Sequence, residues 1–380
     1  MNILHVTPYY APAYAFGGVT RAVEGMARTL VQRGHTVTVL TTDALSPTER
    51  CAEAPDSIRD GVRVIRVRNL IRRGTLNLST PFGLPAALRD LTREQPPDVI
   101  HCHEFRTVEN LLLESAAPFA LSPHGTLTYT TGRSAFKVAW DRLFGRMTAR
   151  RFSAVIGLTA NEAAEARALW DKLGINGAYF PIIPNGIDPA DFATLTGRAA
   201  FRQRFNISPD APTLLFMGRL HPRKGIDVLI KAFKAADVPG AHLLIVGGDE
   251  GMLSIIQPLL DARMIVTGYL SGADRLAAYA AADAFALPAT GEGLSMAALE
   301  AMSAGLPVIL SPGCNLPEAE TAGVIVEAQI EPLAHAIRRI LSDPDQRAAM
   351  GARGRQLVAE RFTWAAVGEQ LDMVYRRLRG

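Results

Sequence analysis

The residues best suited to chemistry cluster in T-G-E-G-L-S-M-A-A-L-E-A-M-S-A-G, Thr290 to Gly305. Glu292 stands in a glycine-rich turn and Glu300 on the helix-forming run that begins at Leu294. Such a turn leaves the first backbone N–H groups of the helix unpaired and facing the loop, which suits an anion. On a continuous helix the two carboxylates would sit roughly 80° apart and about 12 Å along the axis. That span suits the two ends of one extended ligand, with phosphate at the helix start. It exceeds the about 5–9.5 Å expected of two carboxylates working on a single bond. The other reading is a solvated turn Glu and an ordinary helix-surface Glu.

Other candidates also sit where an apolar run ends. G-R-L-H-P-R-K-G (218–225) gathers Arg219, Arg223 and Lys224 between Gly218 and Gly225, and these cations would neutralise a diphosphate. Gly17-Gly18 and Gly247-Gly248 let backbone approach a ligand. His124, in L-S-P-H-G, is a histidine in a loop bounded by Pro and Gly, which favours function over core filling. H-C-H-E (101–104) places two histidines on one side of a strand, but no further ligand accompanies them in sequence. D-P-D (343–345) fits a helix cap better than a metal loop. No metal site is expected.

These positions require strands that end in loops. Apolar runs predict strands at 2–7, 36–41, 62–67, 98–103, 119–122, 154–158 and 179–183, then at 213–217, 242–246, 264–267, 284–287, 307–310 and 323–326. Helices are expected between them, among them 19–33, 85–94, 136–150 and 160–173, with 332–341, 344–360 and 364–379 closing the chain. Strand–helix alternation means parallel sheets covered on both faces. The turn-rich I-P-N-G-I-D-P (183–189) separates two such series. The expected fold is α/β, with two doubly wound domains, and ligands beyond the carboxyl ends of the strands.

The chain has 380 residues, more than one core usually serves. Its apolar content of 48% with 20% charged residues is that of a soluble globular protein. No apolar run is long enough for a membrane span, and the N-terminus enters a strand without a basic leader. Cys51, Cys102 and Cys314 lie far apart, which fits a reducing cytoplasm. A net charge of +3 gives no reason to expect nucleic acid as a partner.

G-G-V (17–19), S-P-H-G (122–125), I-P-N-G-I-D (183–188), G-R-L-x-x-x-K-G (218–225) and E-G-L-S-M-A-A-L-E (292–300) together resemble glycosyltransferase family 4. These are retaining, nucleotide-sugar-dependent enzymes of the GT-B fold, two Rossmann-like domains facing a central cleft. S-P-G-C-N-L-P-E (311–318) is most similar to members that build bacterial exopolysaccharide or lipopolysaccharide.

The resemblance implies an acceptor domain at 1–188, a nucleotide-sugar domain at 189–362 and a terminal helix, 363–380, packing back on the first. It implies catalytic roles for His124, Arg219, Lys224 and Glu292. Arg219 and Lys224 would hold the diphosphate of the donor, and Glu300 the ribose. Glu292 with the amides of Gly293, Leu294 and Ser295 would hold the transferred sugar and distal phosphate. Tyr269 and Leu270 would lie near the base. Gly17 and Gly18 would approach phosphates and acceptor. Ser295 departs from the Gly of many relatives. The implied activity is transfer of a hexose from a UDP- or GDP-sugar, without a further cofactor or metal, to a saccharide acceptor of the polyprenyl-diphosphate-linked kind. The alternatives are a GT-B sugar-nucleotide epimerase and a glycosyltransferase with a small soluble acceptor. A cytoplasmic protein peripheral on the inner membrane is expected. Its anionic membrane surface would be met by Arg59, Arg63, Arg66, Arg68, Arg72 and Arg73, and by a helix with Phe136, Trp140 and Phe144 on one ridge and Arg142, Arg146 and Arg150 on another.

Overall fold

The computed structural model describes residues 1–70, 78–129 and 134–380. It divides into two compact units, Met1–Gly186 with Trp364–Gly380, and Ile187–Thr363.

The first unit holds β1 (Asn2–Val6), β2 (Thr36–Thr42), β3 (Asp56–Arg59), β4 (Val62–Asn69), β5 (Pro81–Phe82), β6 (Val99–His103), β7 (Phe119–Ser122) and β8 (Phe152–Val155). They lie in the order β3-β4-β2-β1-β6-β7-β8, with β5 against β4. All pairings are parallel except those of β3 and β5 with β4. β6 and β7 are buried along their length, as strands covered on both faces must be. The antiparallel β3 is absent from the sequence expectation. Asp60 and Gly61, both at positive φ (49° and 79°), form the two-residue turn that reverses it into β4. The expected strand at 179–183 is reduced to isolated bridges at Tyr179 and Ile182, because Pro181 and Pro184 offer no N–H to a ladder. The expected helix at 136–150 is broken into Ser134–Trp140, a π-turn at Asp141–Gly145 and Arg146–Ala149.

Val23, Met26, Ala27 and Leu30 of the helix Gly18–Gln32 pack with Val367, Leu371, Val374 and Tyr375 of the terminal helix Trp364–Arg379 over one sheet face. Polar bonds fix the pair: Thr29 donates to the Trp364 carbonyl at 3.0 Å, and Asp372 accepts from Arg33 at 2.9 Å. Gly25 is required there, since a Cβ would fall 2.1 Å from the Trp364 ring.

The second unit holds β9 (Thr213–Met217), β10 (His242–Val246), β11 (Met264–Gly268), β12 (Ala284–Leu287), β13 (Val308–Leu310) and β14 (Gly323–Ile325). The order is β11-β10-β9-β12-β13-β14, all parallel. The chain runs outward from β9 to β11, then restarts on the other side with β12. The topological switch therefore falls between β9 and β12, where doubly wound sheets bind ligands. In the first unit the same switch falls between β1 and β6.

Candidate active site

In the second unit the loops following β9 and β12 are bonded together at the switch. The Thr290 N–H donates to the Arg223 carbonyl at 2.9 Å, and Lys224 Nζ to Glu292 Oε2 at 2.8 Å. Gly225 has φ +67°, and a Cβ there would fall 2.3 Å from the Pro288 carbonyl oxygen, so only glycine allows this approach. The loop after β13 joins them. Glu292 N–H donates to the Gly313 carbonyl at 2.8 Å, and Asn315 Nδ2 to the Glu292 carbonyl at 2.5 Å. Gly247, after β10, lies so close to Gly218 that a Cβ would stand 1.8 Å from its carbonyl oxygen. One loop cluster thus carries Gly218, Lys224 and Glu292. Both charged side chains are mostly buried, which strengthens their attraction for each other.

Helical geometry does not relate Glu292 to Glu300. The helix is Met296–Ser303, and Glu292 lies in the turn ahead of it. Ser295 is its N-cap, with Oγ accepting from the Ala298 N–H at 3.3 Å. This gives the departure from glycine a local reason: the hydroxyl satisfies one first-turn amide. Gly293 is half-buried, and Leu294 and Ser295 are buried. Glu300 is held by two side chains that the sequence reading missed. Tyr279 O–H donates to Oε2 at 2.7 Å, and Arg275 pairs with the same oxygen at 2.5 Å. Both belong to the helix Gly272–Ala281, whose contact with Glu300 no sequence spacing announces.

Arg219 stands apart from the Lys224–Glu292 pair, about half exposed, and bonds Glu250 at 2.7 Å. After β11, Tyr269 is exposed and Leu270 buried. Tyr269 thus presents its ring outward, while Leu270 packs inward.

In the first unit, Gly17 (φ 106°) and Gly18 follow β1 and open the helix Gly18–Gln32, with open space around both. His124 follows β7 with φ +56°, uncommon for a side chain. Its Nε2 lies 2.9 Å from His103 Nδ1, and His103 Nε2 lies 2.8 Å from His5 Nδ1. His5, His101 and His103 bring ring nitrogens within 4.8 Å of one another, as a cation site would. Yet His101 is already bonded on both sides, by Tyr375 Oη at 2.7 Å and Ser122 Oγ at 2.8 Å, and His5 and His103 bond each other. The arrangement is a hydrogen-bond network. Burial pushes His5 down to about 3 and His124 to about 4, so both are neutral near neutral pH. Glu104, after β6, also has positive φ (64°), and burial followed by the charge of Glu109 pushes it up to about 7.

The basic cluster at 59–73 changes meaning. Arg59 pairs with Glu24 and Glu53, Arg63 with Asp56 and Glu94, and Arg66 is buried against Glu53 and the Ala11 carbonyl. Acids from other elements neutralise what looks like a one-sign run in sequence. Arg68 is exposed, while Arg72 and Arg73 lie outside the described residues. Phe136, Trp140 and Phe144 do form one ridge, with ring centroids 5.6 and 5.3 Å apart. Arg142, Arg146 and Arg150 are exposed beside the exposed Val138, Leu143 and Met147. Among the described residues no helix is long and apolar enough to cross a membrane.

Two family models match the chain, "Glycosyltransferase Family 4" over residues 16–191 and "Glycosyl transferases group 1" over 197–357. A GDP-mannose-dependent monoacylated alpha-(1-6)-phosphatidylinositol monomannoside mannosyltransferase of Corynebacterium glutamicum is 32% identical over 71% of this chain and 76% of its own. A D-inositol 3-phosphate glycosyltransferase of Kineococcus radiotolerans is 29% identical over 98% of this chain and 94% of its own. Among solved structures, sucrose-phosphate synthase from Thermosynechococcus elongatus superposes with a TM-score of 0.79 at 23% identity, covering 100% of this chain and 99% of that one. HepE of Anabaena, solved in complex with UDP, does so with a TM-score of 0.76 at 19% identity, covering 99% of this chain and 100% of that one. These neighbours share the GT-B fold.

Proposed function

Since the chain belongs to glycosyltransferase family 4, we propose that its second unit binds a nucleotide-diphosphate sugar at the β9–β12 switch and that the enzyme transfers the hexose with retention. The observation that carries this reading is the Lys224–Glu292 pair, set by loops bonded together at the one place in this sheet where the chain reverses its direction of winding. Lys224 meets the diphosphate and offsets its growing charge as the leaving group departs, with Arg219 swinging from Glu250 to assist. The amides ahead of the Met296–Ser303 helix take the distal phosphate, and Glu292 orients Lys224 and a sugar hydroxyl. Glu300, fixed on Oε2 by Tyr279 and Arg275, presents its carboxylate to the ribose. Tyr269 stacks near the base. In the first unit, His124 and Gly17-Gly18, in the loops after β7 and β1, are the proposed saccharide contacts. No metal or further cofactor enters the reading.

A UDP- or GDP-sugar donor is supported by the GDP-mannose named for the Corynebacterium relative and the UDP bound in the Anabaena structure. A lipid-carried saccharide acceptor, in surface-polysaccharide assembly, is supported by the acylated acceptor that the same relative's name contains. The exposed Val138, Leu143 and Met147 among Arg142, Arg146 and Arg150 suit peripheral docking on the anionic cytoplasmic face of a membrane. The test is transfer from UDP- and GDP-hexoses to a polyprenyl-diphosphate saccharide, with NMR of the product linkage. Retention at the anomeric carbon is expected, and inversion would overturn the mechanism.

A further inference from the structure

Three rings, the buried His5 and His103 and the half-buried His124, form an unbranched chain of two hydrogen bonds, 2.8 Å from His5 Nδ1 to His103 Nε2 and 2.9 Å from His103 Nδ1 to His124 Nε2. The two outer nitrogens, His5 Nε2 and His124 Nδ1, are buried without a partner. A neutral imidazole has one N–H and one acceptor nitrogen, so both inner bonds are made in only two ways. Either all three rings carry the proton on Nδ1, leaving a spare N–H on His124, or all three carry it on Nε2, leaving a spare N–H on His5. The rings are thereby coupled, and none changes tautomer alone.

The surroundings distinguish the two states. A buried N–H without an acceptor costs more than an acceptor without a donor, and orphaned donors are rare. On His5, fully buried in the middle of the sheet, a spare N–H would stay unsatisfied. On His124 the nitrogen is enclosed too, but the residue is half-buried in the loop at the carboxyl end of β7, where a small shift of the ring opens it to water or a ligand oxygen. His101 does not compete, because the Tyr375 and Ser122 hydroxyls occupy both of its nitrogens. Burial also keeps the rings uncharged, as the chain requires.

We propose that His5 and His103 are positioning residues that lock His124 as its Nδ1–H tautomer, aimed as a donor at an oxygen of bound substrate. The substrate part of this inference rests on the placement of His124 given under the proposed function, whereas the tautomer lock is a property of the free protein. Nitrogen-15 NMR of histidine-labelled protein reads the tautomers directly. All three rings are expected as Nδ1–H without titrating near neutral pH. His5→Asn, which keeps an amide N–H where Nδ1–H stood, should preserve the His124 tautomer. His5→Leu should release it, lowering kcat between about twofold and tenfold with KM little changed. Nε2–H on His124 in the wild type, a ring titrating near its ordinary value, or a stoichiometric metal ion on these rings would overturn the proposal. Should His5→Leu fail to fold, the wild-type and His5→Asn spectra still decide. Loss of nucleotide-sugar binding with the tautomers intact would instead count against the assigned active site.

Discussion

Lys224 and Glu292, 68 residues apart in sequence, meet at 2.8 Å with each side chain mostly buried. The carboxylate holds a cation of the loop after β9 at the switch, while the neighbouring Arg219 bonds Glu250. In the proposed reading the pair is a preset phosphate clamp, its lysine oriented by Glu292 before any ligand arrives. A bound diphosphate would then meet a lysine already held in place, so less side-chain freedom is lost on binding.

Lys224→Ala should weaken binding of the nucleoside diphosphate about ten- to a hundredfold, the loss of a charge-assisted contact of about 1.5–3 kcal/mol. Glu292→Gln should leave that affinity within a few-fold while lowering kcat. Calorimetric titration with UDP and GDP, alongside steady-state rates, separates the two roles. Equal affinity for wild type and Lys224→Ala would remove the lysine from the phosphate site.

Glu300 should matter for ribose and not for phosphate. Glu300→Gln is expected to weaken nucleoside diphosphate binding and to leave inorganic pyrophosphate binding unchanged. Tyr279→Phe, which removes one of its two anchors, should have a smaller effect in the same direction. A parallel loss for pyrophosphate would mean that Glu300 acts through the fold.

Gly225→Ala should push apart the loops after β9 and β12, because its Cβ would enter the Pro288 carbonyl at a positive φ. A cost of about 1–3 kcal/mol is expected, together with weaker nucleotide binding. Gly18→Ala, with open space around the glycine, should leave stability nearly unchanged. Denaturant unfolding of both variants compares them directly.

The histidine network makes a pH prediction with a definite sign. Burial lowers His5 and His124 from 6.5 to about 3 and about 4, and lowers His101 and His103 as well. Below the ordinary value the unfolded chain takes up protons that the native rings refuse, so their contribution to stability is lost as pH falls from there. Glu104 and Glu162, raised from 4.5 to about 7, act oppositely by binding protons in the native state first. Replacing His5 by Gln should flatten the stability–pH slope by one proton, about 1.4 kcal/mol per pH unit between about pH 6.5 and 4.5. An unaltered slope would mean that His5 is not held neutral.

Much of this was legible beforehand. The strands and their terminal loops declared themselves through apolar runs bounded by Gly and Pro, and a parallel sheet then dictates that those loops share an edge. G-R-L-x-x-x-K-G and the glutamate pair were legible as ligand-binding candidates for that reason. Their partners were not. Tyr279 and Arg275 reach the site from another helix, and nothing in their own neighbourhoods distinguishes them; Asn315 stands in the S-P-G-C-N-L-P-E run, but its bond to the Glu292 carbonyl is not readable there. The same applies to the acids that neutralise Arg59, Arg63 and Arg66, which come from separate strands, helices and loops. His5 read only as one residue of a buried strand. Its register opposite His101, fixed by the β1–β6 pairing, is what brings it to the network. The Asp60-Gly61 turn is a local signal for β3, weaker in sequence than the alternating pattern of β4 beside it.

A crystal structure with bound UDP or GDP tests the central claim most directly. The account predicts phosphate within hydrogen-bond reach of Lys224 Nζ and of the amides around Gly293 to Met296, with the ribose hydroxyls on Glu300. A nucleotide seated away from the β9–β12 loops, with the Lys224–Glu292 pair untouched, would contradict it.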